Sequence, residues 1–310
     1  MTIFHSIYRE PGKVTVDENT CSQCGLCARI CPAQVLIMEK GRLQVSNKSL
    51  FGCIACGHCM MVCPTGAVTV AGRGVSPTDL MELPGPDERA NVNQLEALMR
   101  ARRSIRRFRE SPVDPGLVER VVEIASTAPM GIPPWDIGCV SVIGRAEVRR
   151  VADEIIKGYE GFLKIFRPWV LAVTRPFIGK VKYEMFAGFI HPLAQTYVDE
   201  HRKGHDKLFY DAPALLIFHH SPYTDVLDAG IACTYAMLAA ESLGLGSTII
   251  GGAPPVLQRN RALCRRLGIP DSNTPSMVLI LGHPAVRFHK TIRRRFVHLS
   301  TIDAGQLKSS

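Results

Sequence analysis

The sequence predicts an α+β protein of two domains, a small cysteine-rich domain followed by a larger layered α/β domain. Eight of the eleven cysteines fall in two short runs before residue 64. A stretch of Gly, Pro and polar residues then breaks both helix and strand. Beyond it, helical and strand periodicities alternate, which is typical of a layered α/β sandwich. At 310 residues the chain is long enough for one large and one small core. We expect domains at 1–72 and 93–300, a linker at 73–92 and a tail at 301–310.

The elements of the second domain follow from periodicity and punctuation. Asp114 and Pro115 supply an N-cap and a first-turn proline for a helix over 117–125. Other helices are predicted at 95–99, 148–156, 229–243 and 256–267, and strands at 137–143, 214–219, 247–250 and 277–281. Glycines at 244 and 268 would end the last two helices. Residues 159–210 are aromatic-rich without a clear period, so we interpret them as an insertion or lid.

Charge and hydropathy restrict the partners. The net charge is +9, with much of the excess in residues 100–109 and 287–295. Such an excess suits nucleic acid, an anionic membrane surface, an acidic partner or a bound phosphate. No DNA-binding motif or aromatic-interleaved basic stripe accompanies it, so we expect no nucleic-acid partner. The N-terminus lacks an apolar signal region, and the longest apolar stretch, 226–240, is too short to span a bilayer. We expect no membrane association and a reducing, cytoplasmic location.

The clustered cysteines form one motif twice. The pattern C-x2-C-x2-C-x3-C-P begins at Cys21 and again at Cys53. Its spacing lets three thiolates on one tight turn hold three corners of a cubane, while the fourth cysteine ligates the other cluster. The pattern therefore predicts two [4Fe–4S] clusters, one held by Cys21, Cys24, Cys27 and Cys63 and the other by Cys53, Cys56, Cys59 and Cys31.

Zinc is the alternative for these cysteines. Zinc knuckles use C-x2-C pairs but need neither a third evenly spaced cysteine nor a following Cys-Pro, so iron–sulfur clusters are favoured. The whole segment resembles bacterial two-cluster ferredoxins. His58, between two of the cysteines, is expected to tune the potential rather than to ligate iron. The three remaining cysteines, Cys139, Cys233 and Cys264, lie in apolar patterns and are expected in the core.

Four segments of the second domain, taken in order, carry recognisable motifs. Residues 102–108 read Arg-Arg-Ser-Ile-Arg-Arg-Phe, which resembles the flavin-phosphate motif that opens the nitroreductase family, although composition alone favours a solvated basic helix end. Residues 128–135 lie where the family has its loop beside the isoalloxazine ring. Residues 239–252 match its helix, Gly-Leu-Gly, strand and glycine pattern, and 282–295 resemble its C-terminal arginine segment. The resemblance implies a ferredoxin-like two-cluster domain followed by a three-layer α/β/α nitroreductase-like FMN domain.

The resemblance also implies the residues of an FMN site. The phosphate and ribityl chain would be bound by Arg102, Arg103, Ser104 and Arg106, with Arg294 the best of the C-terminal arginines; guanidiniums and a hydroxyl suit a phosphate. Gly251 and Gly252 would bring backbone N–H groups near flavin N5, a close approach that glycine permits. Where the family often has an asparagine, this chain offers backbone contacts from Met130, Gly131 and Ile132. A homodimer with FMN at the subunit interface is implied as well.

A dinucleotide-binding fold is the alternative for Gly244-Leu-Gly246. It requires G-x-G-x-x-G between a strand and a helix, whereas these glycines end a predicted helix and precede a predicted strand. The sequence therefore argues against it.

The predicted function joins the two domains. Electrons would pass from a donor through the clusters to FMN and on to an organic acceptor such as a nitroaromatic, a quinone, an enone or a halogenated metabolite. The donor would be NAD(P)H or an acidic ferredoxin or flavodoxin. A redox relay that serves a protein partner and has no small-molecule substrate is the alternative. No catalytic acid is assigned; the side chains weighed for that role, with a surface or interface role favoured for each, are His191, His201, His205, Tyr183 and Tyr197.

Overall fold

The computed structural model describes residues 7–131 and 136–303. The predicted loop contact of Ile132, the tryptophan at 135 and most of the predicted tail, 304–310, lie outside the described residues. No helix in the described ranges is both long and apolar enough to cross a bilayer.

The first domain is closed by pairing its first strand with its last. Its elements are β1 (Lys13–Val16), α1 (Leu26–Ile30), β2 (Leu36–Glu39), β3 (Arg42–Val45), α2 (His58–Met61) and β4 (Val68–Ala71). Strand β1 pairs antiparallel with β4, and β2 with β3. The core beneath them is small and includes Leu36, Val68 and Val70 together with two of the motif cysteines. A core of this size supplies little stability by itself, so bound metal should contribute much of it.

The connecting segment is ordered by local capping. Two short 3-10 turns, Pro77–Asp79 and Pro86–Glu88, are each closed by an acidic side chain that accepts a backbone N–H. Helix α3 (Val92–Ala101) follows, with Asn91 as its N-cap. Val75, which lies within the predicted linker, packs into the core of the first domain.

A four-stranded antiparallel sheet forms the centre of the second domain. Its strands are β5 (Ile137–Ile143), β6 (Ala214–His220), β7 (Gly246–Ile249) and β8 (Thr274–Gly282), in the spatial order β5-β6-β8-β7. Its helices are α4 (Pro115–Ala125), α5 (Arg145–Ile165), α6 (Pro168–Ile178), α7 (Lys180–Met185), α8 (His191–Arg202), α9 (Val226–Ser242), α10 (Ala253–Leu257) and α11 (Arg261–Arg266).

Helices cover both faces of this sheet. Along β6, Leu215 and Ile217 join one core, which includes buried side chains of α5, α8 and α10, whereas Leu216 and Phe218 join the other, under α4 and α9. This alternation is the period of two expected of a strand that is buried on both faces. The predicted three-layer α/β/α domain is thus confirmed.

One helix predicted for the second domain differs from the structure. The helix expected at 256–267 is two short helices, α10 and α11, and the Asn260 side chain caps the second by accepting the Leu263 N–H. The segment 159–210 is largely helical, and its interpretation as an insertion or lid stays a prediction. Its ends belong to the core, since Tyr159 continues α5 and Phe209 is fully buried. Its middle part, residues 166–190, exposes large apolar side chains, with Phe177 85% exposed.

Candidate cluster and cofactor sites

The two cysteine motifs adopt the same backbone conformation. Gln23 and Ala55, each two residues after the first cysteine, have φ of 55° and 56°, and Gly25 and Gly57, at the N-caps of α1 and α2, have φ of 71° and 72°. Left-handed residues next to helical turns direct successive N–H groups to one side and create an anion-binding concavity. Such a concavity fits a thiolate-ligated cluster.

Each fourth cysteine lies with the other motif's triplet. The charge of Cys63 acts on Cys24 and Cys27, and that of Cys31 acts on Cys53 and Cys59. Burial, followed by the neighbouring Cys53, Cys56 and Cys31, raises the pKa of Cys59 to about 12. A cationic iron centre would offset this penalty by binding the thiolate form. The arrangement fits the predicted exchange of the fourth ligand.

The cysteines of each group do not converge on a point. Among residues 7–131 and 136–303, no three His, Cys, Asp or Glu side chains lie close enough together to hold a single metal ion. The thiolates of a cubane stand at its corners and need no such convergence. His58 is exposed at the start of α2.

The basic segment at 103–109 is fixed to the sheet at two places. The Ile105 N–H donates to the Ser247 carbonyl over 3.0 Å, and the Arg109 N–H donates to the His283 carbonyl over 2.8 Å. Glycines make this approach possible: a Cβ at Gly246 would lie 2.6 Å from the Ile105 side chain, and one at Gly282 would lie 2.5 Å from the Phe108 ring. The segment therefore lies against the end of the sheet where β7 begins and β8 ends.

Three arginines predicted to bind the FMN phosphate come together here. Burial, then the charges of Arg103 and Arg294, lower the pKa of Arg102, while Glu241 opposes them. Arg103 is oriented by donating to Thr291 Oγ1 over 2.6 Å and to the backbone carbonyl of Arg100. Like charges held together in a half-buried place repel one another, and a doubly charged phosphate would remove that repulsion. This donor set fits the phosphate of FMN.

Two other predicted phosphate residues lie differently. Ser104 is exposed and forms a parallel bridge with Ser247 of β7. Arg106 has its guanidinium carbon 6.0 Å from the centre of the Tyr210 ring, and its charge reaches Tyr197. Arg106 is thus directed toward a group of tyrosines next to the predicted flavin glycines.

The predicted flavin glycines follow β7, and Gly252 lies next to two of the tyrosines. The Tyr159 hydroxyl donates to the Gly252 carbonyl over 2.6 Å, and the Tyr159 and Tyr197 rings are 5.5 Å apart. A Cβ at Gly252 would lie 2.8 Å from Tyr159 Oη, whereas no described atom lies within 4 Å of a Cβ at Gly251. Burial raises the pKa of both tyrosines. The Gly252 peptide is therefore held in one orientation, with open space beside Gly251.

Tyr159 was not predicted as a site residue. Its signal in the sequence is its spacing, because it follows Ile155 by four residues on the buried face of α5, where a hydroxyl needs a partner. Of the five side chains weighed as a catalytic acid, Tyr197 lies next to Gly252. The others make contacts elsewhere: His191 with Phe162, His201 with Asp153, His205 with Glu200 and Tyr183 with Arg175.

Gly131, which precedes β5, is anchored to α9 by a backbone hydrogen bond. The Gly131 N–H, expected to contact flavin, donates to Asp228 Oδ1 over 3.1 Å. Asp228 is buried near the start of α9 and holds the loop against that helix. This bond uses the N–H of Gly131, so the carbonyl is its remaining polar backbone group for a flavin contact.

A cavity with a volume of about 670 Å³ lies beside the basic segment. Its walls include Arg103, Arg109, Glu241 and the C-terminal residues 284–291, but neither Gly251 nor Gly252. A single chain therefore encloses the phosphate end of the predicted site more fully than the glycine end.

Comparison with known proteins agrees with these features. The profile of the nitroreductase family matches residues 99–283, and that of a 4Fe-4S dicluster domain matches residues 20–68. The FMN reductase [NAD(P)H] of Bacillus subtilis is 23% identical over 202 residues, which cover 65% of this chain and 70% of that one. A putative NADH dehydrogenase/NAD(P)H nitroreductase of Methanothermobacter thermautotrophicus is 24% identical over 204 residues, covering 63% and 80%.

Solved structures give similar matches. A nitroreductase from Desulfitobacterium hafniense with bound FMN has a TM-score of 0.48 and 19% identity, covering 66% of this chain and 97% of that one. The family profile spans more than half of the sequence. The chain therefore belongs to the nitroreductase family and carries an N-terminal 4Fe-4S dicluster domain.

Proposed function

We propose that this protein takes electrons from a donor through two [4Fe–4S] clusters and delivers them by way of FMN to an organic acceptor. Membership of the family makes it an FMN-dependent oxidoreductase. FMN can exchange one or two electrons, whereas each cluster carries one, so the pair connects a one-electron donor to a two-electron acceptor. The observation that carries the proposal is that one chain holds both sites in domains that touch, with the Ile7 N–H donating to Asp136 Oδ2 over 3.4 Å.

The residues of the second domain have distinct roles in this proposal. Arg102, Arg103 and Arg294 would bind the phosphate as charge-assisted donors. Tyr159 fixes the Gly252 peptide, so that the backbone beside the flavin ring is preorganised rather than ordered on binding. The open space at Gly251 leaves room for the flavin ring that the proposal places there.

A homodimer is part of the proposal. The C-terminal segment 284–303 lacks regular secondary structure and exposes apolar side chains, with Val297 91% exposed. A run of this kind indicates a surface that another chain covers. A second subunit would also enclose the glycine end of the flavin site. Light scattering coupled to size exclusion should give twice the mass of one chain.

The first experiment is anaerobic purification with iron, sulfide and flavin quantified. We expect about eight iron atoms and one FMN per chain. A reduced ferredoxin or NADPH is then added while the flavin absorbance is followed, and a quinone and a nitroaromatic are tested as acceptors. Iron without flavin would contradict the proposal. Flavin reduction by ferredoxin that is equally fast in Cys53→Ser would exclude the route through the clusters, and a lack of turnover with every small acceptor would favour the relay.

The same assay can distinguish an acidic protein donor from NAD(P)H. The surplus of basic residues would attract an acidic donor protein, and such attraction is screened by salt. If ferredoxin is the donor, flavin reduction should slow as the ionic strength rises. A rate that is insensitive to salt would argue against an acidic protein donor.

A further inference from the structure

A tight turn between α8 and β6 contains a tyrosine in an unfavourable backbone conformation. The Ala212 N–H closes the turn by donating to the Phe209 carbonyl over 3.1 Å, and the two central residues, Tyr210 and Asp211, have φ of 57° and 54°. Two positive φ angles at the centre are characteristic of a type I′ turn, in which glycine, asparagine and aspartate dominate. Asp211 fits that preference, whereas a bulky side chain at a positive φ is an outlier. Tyr210 therefore occupies a position that disfavours its side chain.

A buried carboxylate holds the turn in this conformation. Asp206 is 7% exposed, and its Oδ1 accepts the N–H groups of Leu208 and Phe209 over 3.0 and 2.8 Å. Its Oδ2 accepts the Asp211 N–H over 3.2 Å, and the Phe209 side chain is fully buried in the adjoining core. Strained residues persist only where their surroundings over-determine them, and they cluster at functional sites. The conformation of Tyr210 thus indicates a role for its ring.

The ring of Tyr210 lies beneath the guanidinium of Arg106. The guanidinium carbon is 6.0 Å from the centre of the ring, at the distance of a cation–π contact. The two side chains lie near the predicted flavin glycines: burial raises the pKa of Tyr197, Tyr210 adds to this rise and the charge of Arg106 opposes it. Tyr197 is itself next to Gly252, since a Cβ at that glycine would lie 3.4 Å from Tyr197 Cε2. The contact therefore belongs to the surroundings of the predicted flavin site.

The backbone on both sides of Arg106 is already fixed. The Ile105 N–H donates to the Ser247 carbonyl over 3.0 Å, and the Arg107 carbonyl accepts the Ala285 N–H over 2.9 Å. The side chain of Arg106 is exposed, and a long exposed side chain retains its rotamer freedom unless a contact restricts it. A guanidinium stacks well on an aromatic face. The ring of Tyr210 is therefore suited to restrict the side chain of Arg106.

We propose that Tyr210 is a positioning residue whose ring, presented by the strained turn, orients the guanidinium of Arg106 for binding FMN. This inference rests on the proposed function and on the predicted role of Arg106 as an FMN residue. A side chain that is oriented before binding loses less conformational entropy when the ligand arrives, so preorganisation raises affinity. Tyr210 acts through Arg106 and needs no contact with the flavin. Its contribution should therefore disappear when the guanidinium is absent.

The test uses the full-length holoprotein and four variants: Tyr210→Asn, Tyr210→Phe, Arg106→Gln and the double variant Arg106→Gln/Tyr210→Asn. Asparagine tolerates a positive φ but removes the ring, whereas phenylalanine keeps the ring. FMN release on anaerobic dilution is followed by the rise in FMN fluorescence. Tyr210→Asn should bind FMN about two- to fivefold more weakly than the wild type, and Tyr210→Phe should match the wild type. In the Arg106→Gln background, Tyr210→Asn should have no further effect.

A matched control removes an aromatic ring beside a different arginine. The guanidinium carbon of Arg175 lies 5.4 Å from the centre of the Tyr183 ring, in the part of the chain that forms α6 and α7. Tyr183→Leu removes that ring and favours helix. It should leave the FMN affinity at the wild-type value.

Three outcomes would overturn the inference. One is wild-type FMN affinity in Tyr210→Asn, and another is a Tyr210→Phe variant as weak as Tyr210→Asn. The third is an equal loss on adding Tyr210→Asn to Arg106→Gln, because Tyr210 would then act through the fold of the turn rather than through the guanidinium. Tyr210→Gly also tolerates the positive φ and replaces the asparagine variant if that variant does not fold. Failure of the proposed function is distinguishable, since flavin that is bound but not reduced through the clusters would leave these affinities unchanged.

Discussion

Substituting Gly246 by alanine should weaken FMN binding without touching a predicted FMN contact. The new Cβ would lie 2.6, 2.8 and 2.9 Å from three side-chain carbons of Ile105. Ile105 cannot retreat freely, because its N–H donates to the Ser247 carbonyl and its carbonyl accepts from Thr248 Oγ1. Overpacking of this kind costs about 1–3 kcal/mol. The free protein can relieve the strain by displacing the basic segment, but the FMN-bound form needs that segment in place. We therefore expect FMN to bind about 5- to 150-fold more weakly.

The assay is titration of the apo flavin domain within the full chain by quenching of FMN fluorescence. Gly161→Ala in α5 is the matched control, because no described atom lies within 4 Å of its new Cβ and the change favours helix. Circular dichroism would show that both variants are folded. The reasoning would be refuted if Gly246→Ala bound FMN as tightly as Gly161→Ala, since the glycine would then not be needed to position the segment.

Three further predictions concern other parts of the molecule. Cys31→Ser and Cys63→Ser should each lose about four iron atoms per chain but from opposite clusters, which paramagnetic resonance spectra of the reduced proteins would distinguish. Burial lowers the pKa of His219, so the neutral ring stabilises the fold above the unfolded pKa of about 6.5. This stability is lost as the pH falls below that value. Between about pH 7.5 and 5.5, His219→Gln should therefore lose less free energy of unfolding in urea than the wild type. Tyr159→Phe removes the hydrogen bond to the Gly252 carbonyl and should cost about 1 kcal/mol in denaturant unfolding while shifting the flavin reduction potential.

The sequence predicted the parts of the fold that carry strong local signals. Strand β5 was placed at its observed ends, and Asp114 and Pro115 begin α4 as expected. The 256–267 helix was wrong because apolar spacing alone does not reveal that Asn260 starts a new helix. The burial of Tyr159 and Phe209, at the two ends of the 159–210 segment, comes from packing in the core of the domain, a long-range effect that a local pattern does not contain.

The site was predictable where covalent spacing determines it. The cysteine pattern predicts both groups, because cubane geometry relates sequence spacing directly to ligand position. The meeting of Arg102 with Arg294 came only from family resemblance, since the two are far apart in sequence. Glu241 beside them was missed altogether. Its helix ends at the arginine group, but nothing local distinguishes it from an ordinary surface carboxylate.

The domain contact had no sequence signal at all, and the connecting segment explains why it matters. The turns between residues 76 and 91 are capped by their own side chains and bury no core residue. Local caps set the direction of a chain but do not fix the distance between two domains. That distance must then depend on direct contacts, among them Ile7 with Asp136, and Arg9, whose guanidinium carbon lies 5.8 Å from the centre of the Tyr223 ring. Because Asp136 accepts the Ile7 N–H of the other domain, neutralising this carboxylate should loosen the docking of the cluster domain.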